Sequence, residues 1–191
     1  MRYVLLVPIA LVLAGCSTTP KAEVSVGYYQ VSGTNERTIE RQLALRGPHI
    51  PGKGRALAAA RISMEQRVQV AEAPGFCRVA TAQIRIKADV TLPKWKERPS
   101  ASPELARRWD DFAAYAEAHE RVHVRIAEAY ATELERKLKQ IPSQSDCETV
   151  SKIVSVISKE VVSRMNAAQD KFDADEEKRL NQLAEQAKAT S

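Results

Sequence analysis

The first half of the chain shows the alternation of apolar and polar residues that is typical of half-buried β-strands. The composition of residues 24–31 predicts a first strand, and a Ser32-Gly33 turn follows it. Apolar residues at even positions predict two more strands, one with Ile62, Met64, Val68 and Val70 and one with Ala82, Ile84, Ile86, Ala88, Val90 and Leu92. The turn-forming stretch 71–77 separates them, so these two strands are predicted to form a hairpin.

A short helix and a loop are predicted between the first strand and this hairpin. Ile39 and Leu43 recur at helical spacing, and Thr34 is the candidate N-cap. Residues 47–54 are rich in glycine and proline and are predicted to be a loop. The alanine-rich piece 56–60 is compatible with either a strand or a helix.

The second half of the chain changes to helical periodicity. Ser102 is the predicted N-cap of a long helix with Pro103 in its first turn, and this helix runs to about residue 140. A second long helix is predicted from about residue 145, with an apolar stripe of Val150, Ile153, Ile157, Val161, Met165, Ala168 and Phe172. These elements predict an α+β fold in which a small antiparallel sheet or hairpin packs on two long antiparallel helices.

Two histidines interrupt the apolar stripe of the first long helix. The steps of this stripe alternate between four and three residues, through Leu105, Trp109, Phe112, Ala116, His119, His123, Ile126 and Tyr130. His119 and His123 are therefore predicted to point inward, one helical turn apart, on the same face. Burying two imidazoles in place of apolar side chains costs on the order of a few kcal/mol unless partners are supplied.

A single metal ion is the partner that suits this geometry best. The segment HERVH, from His119 to His123, has the His-Glu-x-x-His spacing of zinc hydrolases. Both imidazoles can bind one Zn²⁺ at about 2.0–2.1 Å, which leaves Glu120 as the general base in a zincin-like motif helix. The alternative is a pair of core histidines bonded to carboxylates of the second helix, and a zinc ion between two helices can also be structural.

The N-terminus has the layout of a bacterial lipoprotein signal. Arg2 precedes an apolar run over residues 4–13, which has signal-peptide length and is too short to span a bilayer. The run ends in LAGC, which resembles a lipobox, so residues 1–15 are predicted to be removed and Cys16 to be lipidated. Ser17 is compatible with the outer membrane, facing the periplasm. An ordinary secretory signal or an N-terminal anchor helix is the alternative.

Two cysteines remain once Cys16 is assigned to the lipid. In an exported chain, Cys77 and Cys147 favour one disulfide between them. Zinc ligation by these two residues is the weaker alternative, because neither lies in a Cys-x-x-Cys pair.

Composition and charge narrow the expected partners. Charged residues make up 28% of the chain and aromatic residues 5%, which favours long solvated helices over an all-β sandwich. The formal net charge of +5 is scattered and not interleaved with aromatic residues, so nucleic acid is not an expected partner. The expected partners are the membrane, through the lipid anchor, and a peptide, protein or peptidoglycan substrate.

Several stretches of the chain resemble a known bacterial family. They are YYQVSGTNERTIERQLALRGP (28–48), CRVATAQIRIKADVTLPKW (77–95), RWDDFAAYAEAHERVHVRIAEAYATELERKL (108–138), Cys147 and AAQDKFDAD (167–175). They resemble bacterial domain-of-unknown-function family 922, whose members are described as secreted zinc-dependent proteases. The resemblance covers most of the mature chain. It implies an α+β domain, a Cys77–Cys147 disulfide, and a zinc role for His119 and His123 with Glu120 as base.

The chain departs from the family pattern near its C-terminus. Members often carry a histidine-glycine pair shortly after a Tyr/Phe-Asp-Ala segment, whereas here FDA is followed by DEEK. If that histidine is the usual third ligand, another group must replace it. The candidates are Asp173, Asp170, a nearby glutamate or His49, and a carboxylate would complete a His₂-plus-acid set. All of these side chains can equally be ordinary solvated residues.

The leading hypothesis is a zinc-dependent peptidase of the cell envelope that hydrolyses amide bonds. Its protease domain spans residues 24–175, between a lipidated tether at 16–23 and a charged tail at 176–191. The alternative is a non-catalytic envelope lipoprotein, with a structural zinc ion or a degenerate peptidase site, that acts as a binding or docking module.

Overall fold

A computed structural model describes residues 19–189, and the sheet occupies the first half of them. Its elements are β1 (Ala22–Val31), α1 (Glu36–Arg46), β2 (His49–Ile50), β3 (Gly54–Arg55), β4 (Ala59–Ala73), β5 (Phe76–Trp95), α2 (Pro103–Lys139) and α3 (Cys147–Ala189). The predicted α+β class is confirmed. The predicted signal peptide and Cys16 lie outside the described residues.

The main sheet has the strand order β1-β5-β4. β4 and β5 pair antiparallel across the tight turn at Pro74 and Gly75, which confirms the predicted hairpin. β1 runs parallel to β5, so the sheet is mixed, and the prediction of a small antiparallel sheet or hairpin is corrected for this strand. The cause is that β5 inserts between β1 and β4, and the connection from β1 to β4 starts and ends at the same end of the sheet.

The helices cover one face of this sheet. The six even positions of β5 from Ala82 to Leu92 are at most 6% exposed, as their alternation predicted, because they pack under α2 and α3. The odd positions of the same stretch are polar, and all of them except the half-buried Thr91 are exposed, so the opposite face is open to solvent. One face of the sheet therefore forms the core.

Two local predictions between β1 and β4 are corrected. The N-cap of α1 is Asn35 and not Thr34, because the Asn35 side chain accepts a hydrogen bond from Thr38 N–H at 3.0 Å and completes a capping box. Residues 47–54, predicted to be a loop, contain β2 and the start of β3, which form a small antiparallel hairpin. In the undecided alanine-rich piece, the last two residues join β4.

α2 and α3 run antiparallel, and their predicted starting points agree with the structure. The Ser102 hydroxyl accepts a hydrogen bond from Leu105 N–H at 3.3 Å, which confirms it as the cap of α2. Asp146 accepts one from Thr149 N–H at 2.7 Å at the start of α3. α3 continues to Ala189, so the charged segment from residue 176 onward is helical as far as the structure describes it.

A disulfide joins the start of β5 to the start of α3. Cys77 and Cys147 are bonded with their Cα atoms 5.2 Å apart, so the predicted pairing is present. The bridge borders an apolar core that includes Ile86, Leu134, Leu138, Val150 and Val161. Within residues 19–189, no helix combines the length and the apolar character that crossing a bilayer requires.

Candidate metal centre

α2 presents two chemically different faces at the motif. Its sheet-facing side is lined by small or apolar residues such as Ala116 and Val124, and the carboxylate of Glu120 lies among them with 5% exposure. His119 and His123 face α3 instead, and their side chains keep 22% and 13% of their surface exposed. The histidines point inward as predicted but stay partly open to solvent, whereas Glu120 is fully covered.

Three donor atoms converge between α2 and α3. Nε2 of His123 lies 3.1 Å from Nε2 of His119 and 3.0 Å from Oδ1 of Asp173. The distance from His119 Nε2 to the same oxygen is 3.4 Å. A tetrahedral ion with ligands at about 2.0–2.1 Å separates its ligand atoms by about 3.3 Å. The triangle therefore has the size that three ligands of one zinc ion require.

Gln169 of α3 orients one of these imidazoles. Its Oε1 atom lies 2.6 Å from Nδ1 of His123, and its Nε2 donates to the His123 carbonyl oxygen at 3.1 Å. An amide oxygen can only accept, so Nδ1 carries the ring proton and the lone pair of Nε2 points toward the other two donors. This is the arrangement in which a histidine is ready to bind a metal ion.

Aromatic rings enclose the histidine pair. The ring centroid of Phe172 lies 4.8 Å from that of His119 and 5.2 Å from that of His123. Tyr115, one turn before His119, has its ring centroid 6.3 Å from the His119 ring. Burial, followed by the neighbouring His123, lowers the pKa of His119 below its ordinary value. The apolar surroundings thus favour the neutral imidazole, which is the metal-binding form.

The structure shows which of the predicted third-ligand candidates lies beside the two histidines. Asp173 joins the histidines, and within residues 19–189 the ligand atoms that converge on one point are those of His119, His123 and Asp173. Asp170 bonds to Lys53 instead, through its Oδ1 at 2.6 Å. His49 lies in β2 with an exposed side chain and is not part of the cluster. The other carboxylate oxygen of Asp173, Oδ2, also accepts from Lys53, at 3.1 Å.

Glu120 occupies a buried position on the sheet-facing side of α2. Burial raises the pKa of the Glu120 carboxyl to about 7, against the opposing effects of His123 and of the backbone N–H of Ala60 in β4. Glu120 also lines a cavity of about 320 Å³ between α2 and the sheet, whose apolar walls include Val24, Val26, Tyr28, Val90 and Leu92.

A second polar cluster adjoins the site one turn further along α3. The Tyr115 hydroxyl donates to Oε2 of Glu176 at 2.7 Å, and Arg179 pairs with both oxygens of that carboxylate. The hydrogen bonds from Arg179 and Tyr115 lower the pKa of Glu176 to about 2. Glu176 is therefore held as a carboxylate by its own partners and does not belong to the converging donors.

A family model matches most of the chain. The family model described as "Bacterial protein of unknown function (DUF922)" matches residues 26–179. The chain belongs to this family. No curated protein and no solved structure matches the chain.

The DUF922 segment contains the whole candidate site. It begins within β1, includes Lys53, Glu120 and the three converging side chains, and ends shortly after Glu176. The resemblance to family 922 noted in the sequence is thereby confirmed. This match shows the family of the chain and does not by itself assign an activity.

Sequence reasoning missed Gln169 and Lys53. Gln169 precedes Asp173 by four residues, the same spacing that separates the two histidines, so both pairs line one face of their helix. On antiparallel helices two such pairs can meet, and this spacing was the available signal for Gln169. For Lys53 the sequence holds no comparable signal, because 117 residues separate it from Asp170.

Proposed function

We propose that this DUF922 protein is a zinc-dependent peptidase of the bacterial cell envelope that hydrolyses amide bonds. The observation that carries the proposal is the convergence of His119 Nε2, His123 Nε2 and Asp173 Oδ1. Two imidazoles and one carboxylate form a ligand set found in zinc hydrolases. Their separations suit one zinc ion, and Gln169 presents the correct nitrogen of His123.

In the proposed reaction, a bound zinc ion would polarise the amide carbonyl and acidify a water molecule. Glu120 follows His119 directly, so it lies about 100° around the helix from this ligand and is not a member of the donor triangle. In its role as general base, Glu120 takes a proton from the attacking water and returns it to the leaving nitrogen. The Phe172 ring packs against both imidazoles.

The proposed location follows from the N-terminal sequence. Residues 1–15 would act as the lipoprotein signal and Cys16 would carry the lipid, so the protein would lie on the membrane surface of the envelope. Outer-membrane retention, facing the periplasm, is the version that Ser17 favours. The disulfide between Cys77 and Cys147 supports an exported protein, because disulfides persist in oxidising compartments. Peptides, proteins and peptidoglycan peptides are the proposed substrates.

One observation favours a second candidate function, a non-catalytic envelope lipoprotein that acts as a binding module. Glu120 is only 5% exposed and lies on the sheet-facing side of α2, whereas His119 and His123 face α3. A base buried on this side of the helix is poorly placed to act on water held at the histidines. In that case the zinc site would be structural, or would be the remnant of a peptidase.

The substitution Glu120→Gln separates the two candidates. It keeps the size of the side chain and removes the base, so a peptidase should retain zinc and lose hydrolysis of a peptide library or isolated peptidoglycan by several orders of magnitude. Glu104→Gln is the matched control, because Glu104 is an exposed glutamate of the same helix that pairs with Arg108. This control should remain as active as the wild type.

The assay has a clear negative outcome. If Glu120→Gln protein cleaves as well as the wild type, or complements a deletion strain as well as the wild type, the peptidase proposal is wrong even when zinc is bound. Wild-type protein that binds zinc but cleaves none of these substrates would support the binding module.

A further inference from the structure

We propose that Lys53 is a positioning residue that orients Asp173 for metal binding, so that the β2–β3 hairpin forms part of the metal centre. The inference rests on the proposed zinc site and adds a residue from a separate part of the chain. Lys53 would not touch the metal ion. It would act by fixing which oxygen of Asp173 faces the two histidines.

The two oxygens of Asp173 have different partners. Oδ1 lies 3.0 Å from His123 Nε2 and 3.4 Å from His119 Nε2. Oδ2 accepts a hydrogen bond from the Lys53 ammonium at 3.1 Å. With Oδ2 occupied, the carboxylate offers only Oδ1 to an ion between the histidines. This favours one-oxygen coordination and a four-coordinate site over coordination through both oxygens.

Lys53 also holds the neighbouring carboxylate away from the site. Asp170 and Asp173 lie three residues apart on α3, so the two carboxylates are neighbours on the helix surface and repel each other. The Lys53 ammonium bonds to both, at 2.6 Å to Asp170 and 3.1 Å to Asp173. Because Asp170 is occupied in this way, it does not compete with Asp173 for the ion.

The geometry of the β2–β3 hairpin places Lys53 where its ammonium contacts α3. Lys53 lies in the turn between β2 and β3, where its backbone N–H donates to the Ile50 carbonyl at 3.1 Å. Gly52 and Gly54 flank it with φ angles of 78° and 88°, a conformation that favours glycine. Arg55 donates to the Gly47 carbonyl at 2.7 Å and closes the base of the hairpin. The turn thus reaches α3 through the Lys53 side chain.

Stability alone does not explain this contact. The side chains of Lys53 and Asp170 are 51% and 64% exposed, and ion pairs this exposed contribute little to folding. The contact matters for the geometry of Asp173. A purely electrostatic effect would have the opposite sign, because an ammonium next to the site repels a divalent cation. The sign of the change in zinc affinity therefore distinguishes positioning from charge repulsion.

The test measures zinc affinity of the full chain by competition with a chromogenic chelator. Lys53→Met should weaken zinc binding by about ten- to a hundredfold, the usual effect of removing a hydrogen-bond partner of a ligand. Lys53→Arg, which can still donate to both carboxylates, should restore most of the affinity. Lys171→Met is the matched control, because Lys171 is an exposed lysine of α3 that pairs with Asp175 and touches no ligand.

Each outcome decides the proposal. Unchanged or tighter zinc binding in Lys53→Met would overturn it, and so would a loss that Lys171→Met reproduces. Thermal unfolding of metal-free Lys53→Met should match the wild type, which excludes misfolding as the cause. If wild-type protein binds no zinc, or binds it equally after His119→Ala/His123→Ala, the zinc site itself is wrong. That result differs from a failure of Lys53 alone.

Discussion

The α2–α3 helix pair is apolar at one end and polar at the other. Near the disulfide, Leu134, Leu138, Val150 and Val161 are at most 2% exposed and pack without polar groups. Toward the other end, histidine, glutamine and aspartate side chains face each other across the same interface. The apolar end supplies the packing energy and fixes the helix spacing. The polar end uses that spacing to hold three donor atoms at ligand distances.

The largest expected effect comes from removing the disulfide at the apolar end of the helix pair. In Cys77→Ser/Cys147→Ser protein, opening a bridge between residues 70 positions apart should lower the free energy of unfolding by about 4 kcal/mol. Urea unfolding of the metal-free variant and wild type measures this difference. A change below about 1 kcal/mol would show that the apolar packing holds this end without the bridge.

The second largest expected effect is the stabilisation of the folded chain by zinc at the polar end of the helix pair. Zinc at a hundredfold excess over Kd should stabilise the wild type by about 2.7 kcal/mol, because the ion binds only the folded chain. His119→Ala/His123→Ala should abolish this increment while the metal-free stability changes little. The increment should fall at acid pH, since ligating imidazoles must be unprotonated. Thermal unfolding with zinc or a chelator provides the measurement, and an increment that survives the double substitution contradicts the site.

A smaller effect tests how the polar end orients its ligands. Gln169→Leu removes the acceptor for Nδ1 of His123 and should weaken zinc binding about tenfold. Gln169→Glu keeps an acceptor at this position and should bind zinc at least as tightly as the wild type. Isothermal titration with zinc compares the variants. Equal affinity of the leucine and wild-type proteins would show that the helix spacing alone orients His123.

The smallest effect lies on the surface between the two ends. Arg164 of α3 pairs with Glu133 of α2 and lowers the pKa of the Glu133 carboxyl. This pair stabilises the folded state above the ordinary pKa of the glutamate, and the contribution disappears as the pH falls through the lowered pKa. Glu133→Gln should therefore change the free energy of unfolding only marginally at neutral pH and not at all in strong acid, as urea unfolding at the two pH values would measure. A large change would mean that polar surface contacts also set the helix spacing.

The repeating patterns of the sequence predicted the elements that carry the fold. The even positions of β5 revealed its buried face, because the side-chain period of a strand directly reports burial. The spacing of His119 and His123 placed them on one face of α2, since residues four apart are neighbours on a helix. Ser102 and Pro103 marked the start of this helix. Each of these features depends on neighbours in the chain.

Features that depend on distant contacts were missed. The parallel pairing of β1 follows from the insertion of β5 between two strands, which no local pattern reports. The rotation of α3 against α2 decides that Asp173, and not Asp170, faces the histidines. The burial of Glu120 reflects the sheet beneath α2, since its neighbours along the helix are exposed arginine and half-buried histidine.

The position of the disulfide in the chain determines the order in which the site can be completed. The loop closed by Cys77 and Cys147 contains most of β5 and all of α2, and thus both histidines and Glu120. Asp173 and Gln169 follow the second cysteine. If the chain is exported N-terminus first, as we propose, its cysteines can be oxidised before the last ligand has emerged. Metal binding would then be a late step of biogenesis, because two histidines alone bind a metal ion more weakly than the complete set of three donors.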